Sequence, residues 1–255
     1  MSTPDDVQTR PAIPDDKLVL YVKKASPTST ANTVKPLMLI EALGIPHHIH
    51  LITSTSNETW FHSVNPYKMV PAMEDSVEIE SDSSTERTNV FDSSACLTFL
   101  AEKYDTEGLY RGKNLHERTI IMNWLMSYTA GLGATGKIWL LMKAPKPVPI
   151  GESLSVLLKY IRTEYDFLES RLSEPGQLYV ALADRPTIAD FAIYPLANEK
   201  IAISAELDFT QWPKLKAWSE QMSSFKPVAR ALHRVSRFGL SDEELAQLDI
   251  DEKSR

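Results

Sequence analysis

Near residue 104 the chain changes its hydrophobic period, and that change limits the folds open to it. Before it, strand-like runs at 17–23 and 48–52 flank a helical pattern over about 32–43, with a short helical turn at Trp60-Phe61. Two further short strands are predicted at 71–73 and 88–91, then a helix over 93–103. Alternation of this kind predicts a βαβ unit. The polar stretch 74–87, rich in Glu, Ser and Asp, is expected as a long exposed connection. After residue 104 apolar residues recur only at helical spacing: Ile120, Ile121, Trp124, Leu125 and Tyr128, then Leu154, Leu157, Leu158, Ile161, Tyr165, Leu168 and Leu172. Gly131, Gly133 and Gly136 interrupt the first stripe, which predicts a kink or a close approach, and Pro145, Pro147 and Pro149 end it. An α/β domain followed by an all-α domain is the expected fold class.

With 255 residues, 43% of them hydrophobic, the chain can bury one large core or two moderate ones, and its length suggests two domains. The expected organisation is a disordered arm at 1–16, a first domain at 17–103, a linker at 104–113, a helical domain at 114–240 and a charged tail at 241–255. The tail either packs as a turn carrying Leu245 and Leu248 or stays disordered.

Several function classes fall away on composition. A net charge of −7 with no Lys/Arg run argues against nucleic acid as a partner, since phosphate binding needs a clustered basic surface. No stretch is long and apolar enough to span a membrane, and the N-terminus lacks a cationic start and an apolar h-region, so the cytoplasm is expected. The single Cys96 excludes an internal disulfide and sits in an apolar helical pattern, as a buried structural thiol does. His47, His48 and His50 lack acidic or cysteine partners at ligand spacing and alternate faces, so no metal site is expected.

Two motifs carry chemistry. In Asn65-Pro66-Tyr67-Lys68-Met69-Val70-Pro71-Ala72, proline holds Val70 extended and is the residue whose cis bond is accessible. A cis Val70-Pro71 bond would turn the Val70 N–H and C=O outward to pair with an extended ligand. In Phe91-Asp92-Ser93-Ser94-Ala95 the serines precede a helical run whose first N–H groups can receive a carboxylate, while Asp92 supplies an anion for an ammonium. Either motif alone also fits an ordinary turn or an ordinary helix cap. Their order and separation point to one site gripping both charges of an α-amino acid and the backbone of a small peptide, a ligand such as glutathione. Farther along, Thr187-Ile188-Ala189-Asp190 after Pro186 reads as a capping box with a folding role.

With these residues in place the chain resembles a glutathione transferase from about residue 18 to 232. Asn65-Pro66 with Val70-Pro71, Asp92-Ser93, Pro186-Thr187-Ile188-Ala189-Asp190-Phe191 and Trp212-Pro213-Lys214-Leu215-Lys216-Ala217-Trp218 occur in the family's order and spacing. The segment Ser26-Pro27-Thr28-Ser29-Thr30-Ala31-Asn32-Thr33-Val34-Lys35-Pro36 is similar to that of the fungal branch related to yeast nitrogen-regulator-like transferases. With Lys68-Met69, Gly133-Ala134-Thr135-Gly136-Lys137-Ile138-Trp139 and 195–202, it most resembles the transferases of gliotoxin-type epipolythiodiketopiperazine toxin clusters.

The resemblance implies a thioredoxin-like first domain, a helical-bundle second domain and a homodimer, with glutathione as co-substrate and no prosthetic group. It implies attack of glutathione on an imine-like carbon of a small hydrophobic diketopiperazine, forming a carbon–sulfur bond. By that resemblance Asn32 faces the glutathione sulfur. Because the thiolate is the nucleophile, donors are needed at sulfur, and Ser29, Thr30, Asn32 and the amides at the start of the Asn32 helix are candidates. Lys137 either faces the cleft and stabilises an anion or is a solvated surface lysine. Glutathione is expected against Asn32, Lys68, Met69, Val70, Pro71, Asp92 and Ser93, with Lys68 at the glycine carboxylate or pointing to solvent. The chain departs from the family at Asp92, where glutamate is usual. It also has no cysteine in the loop before Asn32, which argues against a mixed disulfide. A general detoxifying transferase and a non-enzymatic glutathione-binding interaction module are the alternatives.

Overall fold

A computed structural model describes residues 9–14, 16–79, 84–143 and 152–253. Four strands, β1 (Leu18–Val22), β2 (His47–Leu51), β3 (Ala72–Ile79) and β4 (Ser84–Phe91), form one sheet in the order β2-β1-β3-β4. β1 runs parallel to β2, which requires a crossover, and α1 (Pro27–Leu43) supplies it. β3 is antiparallel to both β1 and β4. All five residues of β1 are buried. Leu18, Leu20 and Val22 face α1 and α2 (Ser93–Tyr104), whereas Val19 and Tyr21 face a smaller cluster with Ile52, Phe61, Val64 and Ala72.

Three local expectations change. The helix expected from about residue 32 begins at Pro27, because Ser26 caps it: the Ser26 hydroxyl accepts from the Ser29 N–H and the Ser29 hydroxyl from the Ser26 N–H. The strands expected at 71–73 and 88–91 run far longer. Glu74 pairs with Asn89 and Glu78 with Thr85, so most of the stretch read as an exposed connection is antiparallel ladder, and residues 80–83 lie outside the described residues. The arm at 1–16 also differs: residues 1–8 and 15 lie outside the described ones, but Arg10 donates to buried Glu74 at 2.7 Å and stacks over Trp60. Glu74 also accepts from Tyr21, so the Tyr21 hydroxyl points away from α1.

The rest is helical: α3 (Leu115–Ala130), α4 (Leu132–Lys143), α5 (Glu152–Leu172), α6 (Ile188–Ile193), α7 (Glu199–Ser204), α8 (Pro213–Ser224), α9 (Lys226–Val235) and α10 (Asp242–Lys253). Gly131 breaks the first stripe into α3 and α4, and a Cβ there would lie 2.5 Å from Glu164 Oε1. Pro145, Pro147 and Pro149 lie outside the described residues. Asp190, fully buried at the start of α6, accepts from the Thr187 N–H and hydroxyl, the Val180 N–H and the Trp218 indole. Removing the Thr187 cap should cost about 1 kcal/mol.

One hydrophobic core runs without a break from β1, α1 and α2 into α6, α8 and α9. Arg230 and Arg234 on α9 both pair with Glu41 on α1. The described part of the tail is helical over α10, and α10 supplies a partner to the cleft loop: Lys24 Nζ lies 2.6 Å from Glu244 Oε1. The same loop is held by the Ala25 N–H to the Phe238 carbonyl at 2.8 Å. Gly239 follows with φ 69°, and a Cβ there would press on Leu51 and Lys24.

Candidate active site

Between the sheet and α4 lies a cleft of about 1020 Å³. The first domain supplies its floor from four places: the end of β1 and the start of α1, the segment after β2, the loop before β3, and the start of α2. α3 and α4 supply the opposite wall with Tyr128, Thr129, Gly133, Lys137, Ile138 and Leu141.

Asn65, almost wholly buried, shapes the loop before β3. Its Nδ2 donates to the Met69 carbonyl at 2.7 Å and its Oδ1 accepts from the Tyr67 N–H at 2.9 Å. The Val70-Pro71 bond is cis, and Met69, Val70 and Pro71 all line the cleft. Lys68 adopts a left-handed φ of 53°, is exposed and does not line the cleft, so the loop turns it outward.

Asp92, not the serines, is the N-cap of α2. Its Oδ1 accepts from the Ser94 N–H at 2.8 Å and the Ala95 N–H at 3.4 Å. Its φ is 75°, an uncommon conformation for a residue with a side chain, at the rim of a cleft. With those two amides occupied, the Ser93 N–H is the first donor left at this helix start, and Ser93 lines the cleft. Ser94 also lines the cleft, where its hydroxyl pairs with that of Thr129 on the opposite wall at 2.8 Å.

The residues expected around a sulfur separate. The Ser29 hydroxyl lines the cleft but donates to the Lys24 carbonyl at 2.8 Å, and the Thr30 hydroxyl donates to the Ser26 carbonyl at 2.7 Å without lining it. Each hydroxyl has one proton, and both are spent on backbone carbonyls ahead of α1. The amides of this helix start belong to residues around Ser29, while Asn32 sits in the second turn and lines the cleft. Lys137, exposed on α4, faces the cleft and reaches Met69 Sδ at 3.4 Å.

Lys35 was missed by sequence reasoning. It lines the floor of the cleft at 2% exposure, donates to Asn32 Oδ1 at 2.8 Å and Ser93 Oγ at 3.3 Å, and stands 4.8 Å from the centre of the Tyr128 ring. Burial pulls its ammonium down to about 7, against the opposing pull of Asp92, and Lys137 adds to the lowering. The available signal was its spacing from Asn32, three residues on and on the same helix face. Cys96 is fully buried, and burial pushes its thiol up, out of reach of reaction. His50 lies 3.9 Å from Glu58, a buried acid that also accepts from the Thr53 and Ser54 amides on the cleft lip.

The family models described as "Glutathione S-transferase, N-terminal domain" and "Glutathione S-transferase, C-terminal domain" match residues 31–103 and 138–225. The chain is 50% identical over 246 residues to glutathione S-transferase tcpG of Claviceps purpurea, covering 96% of this chain and 98% of that one. It is 32% identical over 205 residues to the trimodular acetylaranotin synthesis protein ataIMG of Aspergillus terreus, covering 80% of this chain and 20% of that longer protein. Among solved structures, a glutathione transferase homolog from Lodderomyces elongisporus, with two glutathiones per subunit, superposes with a TM-score of 0.73 at 22% identity. That match covers 86% of this chain and 99% of that one, a likeness of fold.

Proposed function

The chain belongs to the glutathione S-transferase family, and on that premise we propose that it joins glutathione to an imine-like carbon of a diketopiperazine in epipolythiodiketopiperazine biosynthesis. The observation that carries the proposal is the arrangement across one cleft: Asn32, Val70, Asp92 and Ser93 on the first-domain side, Lys137 and the apolar Ile138 and Leu141 on the other. The likeness to ataIMG, named for acetylaranotin synthesis, supports the substrate class.

In this reading the free Asp92 oxygen meets the γ-glutamyl ammonium and the Ser93 N–H and hydroxyl meet its carboxylate. The Val70 backbone pairs with the cysteinyl residue. The Asn32 carboxamide donates to sulfur, lowering the cost of thiolate. A sulfur lone pair then attacks the carbon of the C=N bond. As the carbon–sulfur bond forms, the π pair moves to nitrogen, which takes the proton lost by the thiol, so the step is redox-neutral. Lys137 is placed to stabilise the anion on either side of it.

We also propose a two-fold homodimer, supported by exposed Leu115, Met122 and Met126 along α3 and by the exposed Tyr67–Phe91 ring pair. The cytoplasm, where glutathione is kept reduced, is the proposed compartment.

The test is a calorimetric titration with reduced glutathione alongside ultraviolet difference absorbance for thiolate. Binding with a thiolate band, followed by turnover of a diketopiperazine electrophile but not of unrelated aryl halides, is expected. Broad turnover would instead mean a general detoxifying transferase, and binding without a thiolate band an interaction module.

A further inference from the structure

The reading above sets the glutathione sulfur at Asn32 and its α-carboxylate at Ser93, and a single buried cation touches both residues. A carboxamide has one donor end and one acceptor end, and only the donor end helps a thiolate. An ammonium can only donate, so while Lys35 is charged the bond from its Nζ to Asn32 Oδ1 fixes which end is which. We propose that Lys35 is a positioning residue of the thiol site: its ammonium holds the Asn32 carboxamide with Nδ2 toward the cleft, and through Ser93 it couples that orientation to the α-carboxylate of glutathione. This inference rests on the glutathione reading.

The burial of Lys35 supports it. Among the described residues no carboxylate lies within ion-pair distance of Nζ, whose neighbours are Asn32 Oδ1, Ser93 Oγ and the face of the Tyr128 ring. Two neutral oxygens and a ring compensate a buried ammonium only in part, and a lysine kept for packing alone would be replaced by methionine without loss. The titratable and charged groups facing it are Asp92 at the start of α2, Tyr128 on α3 and Lys137 on α4. An anion bound at Ser93 completes the compensation, so ligand and ammonium favour each other.

The experiment compares Lys35→Met, Asn32→Ala and the double variant, reading kcat, KM and thermal midpoint. Lys35→Met is expected to lower kcat on the order of tenfold or more, as loss of one aimed donor does, with the midpoint maintained. Adding it to Asn32→Ala should lower kcat no further, because it acts through Asn32. Multiplying losses, or a wild-type kcat in folded Lys35→Met, would overturn the proposal. Should Lys35→Met not fold, Lys35→Leu decides by the same comparison: a lowered kcat that falls no further when Asn32→Ala is added is expected, and a wild-type kcat or multiplying losses would overturn the proposal. Failure of the wild type to bind glutathione would instead reject the glutathione reading, and this inference with it.

Discussion

Lys137 on α4 and Met69 on the loop before β3 meet across the mouth of the cleft, Nζ to Sδ at 3.4 Å. A thioether is a weak acceptor, so this contact gives way readily to an anion. Lys137→Ala is therefore expected to lower kcat/KM about tenfold while stability changes by no more than about 0.5 kcal/mol, as for an exposed side chain. Steady-state kinetics with a melting curve checks both, and unchanged turnover and affinity would leave Lys137 a solvated lysine.

Asn32 and Ser29 should separate chemistry from folding. Asn32→Ala is expected to lose at least about tenfold in turnover with a normal melting curve. Ser29→Ala removes half of the box that caps α1, so it should cost about 1 kcal/mol of stability and leave turnover per folded molecule unchanged. The reverse pattern would move catalysis to the hydroxyls.

Asp92 performs two tasks that substitution can divide. Asn caps a helix as well as Asp, so Asp92→Asn should keep stability and weaken glutathione binding by loss of the charge. Asp92→Gly relieves the φ of 75° but removes both the cap and the anion, so affinity falls while the stability cost stays within a few tenths of a kcal/mol. Calorimetric affinities and chemical denaturation of the two variants test the division.

The lowered Lys35 ammonium makes ligand-free stability depend on pH. Between about 7, its folded value, and 10.5, its ordinary one, the unfolded chain holds a proton that the folded protein has released. Stability from this group therefore rises with pH across that window, and below it the full cost of burying the charge applies. The difference between wild type and Lys35→Met should shift in favour of wild type as pH rises through the window. Parallel melting curves of the two would contradict it.

The βαβ order, the cis Val70-Pro71 step and the Thr187–Asp190 box were legible because proline and capping geometry are local. The start of α1 was missed because the low apolar content of 26–33 hid it, although Ser26, Pro27 at the first helical position and Ser29 three on carry its signal. β3 and β4 were misjudged for another reason. Glu78, Thr85 and Glu86 are polar and carry no burial pattern, and only their cross-strand pairing makes them strands. Asp92 was read as a charge for the ligand, although its own carboxylate reaches the next amides and caps the helix as well. Lys35 stayed hidden because a lysine in an apolar run normally sends its head to water, and which helix closes over it is a tertiary fact.

The unbroken core from β1 to α9 makes the two halves interdependent in heredity as well as in space. A chain severed in the 104–113 connection would lose the packing of α1 on α6 and α9. Recombination can therefore carry this protein into a larger polypeptide only as one cassette of both halves, and a fusion that borrowed the cleft floor without its helical wall would not fold.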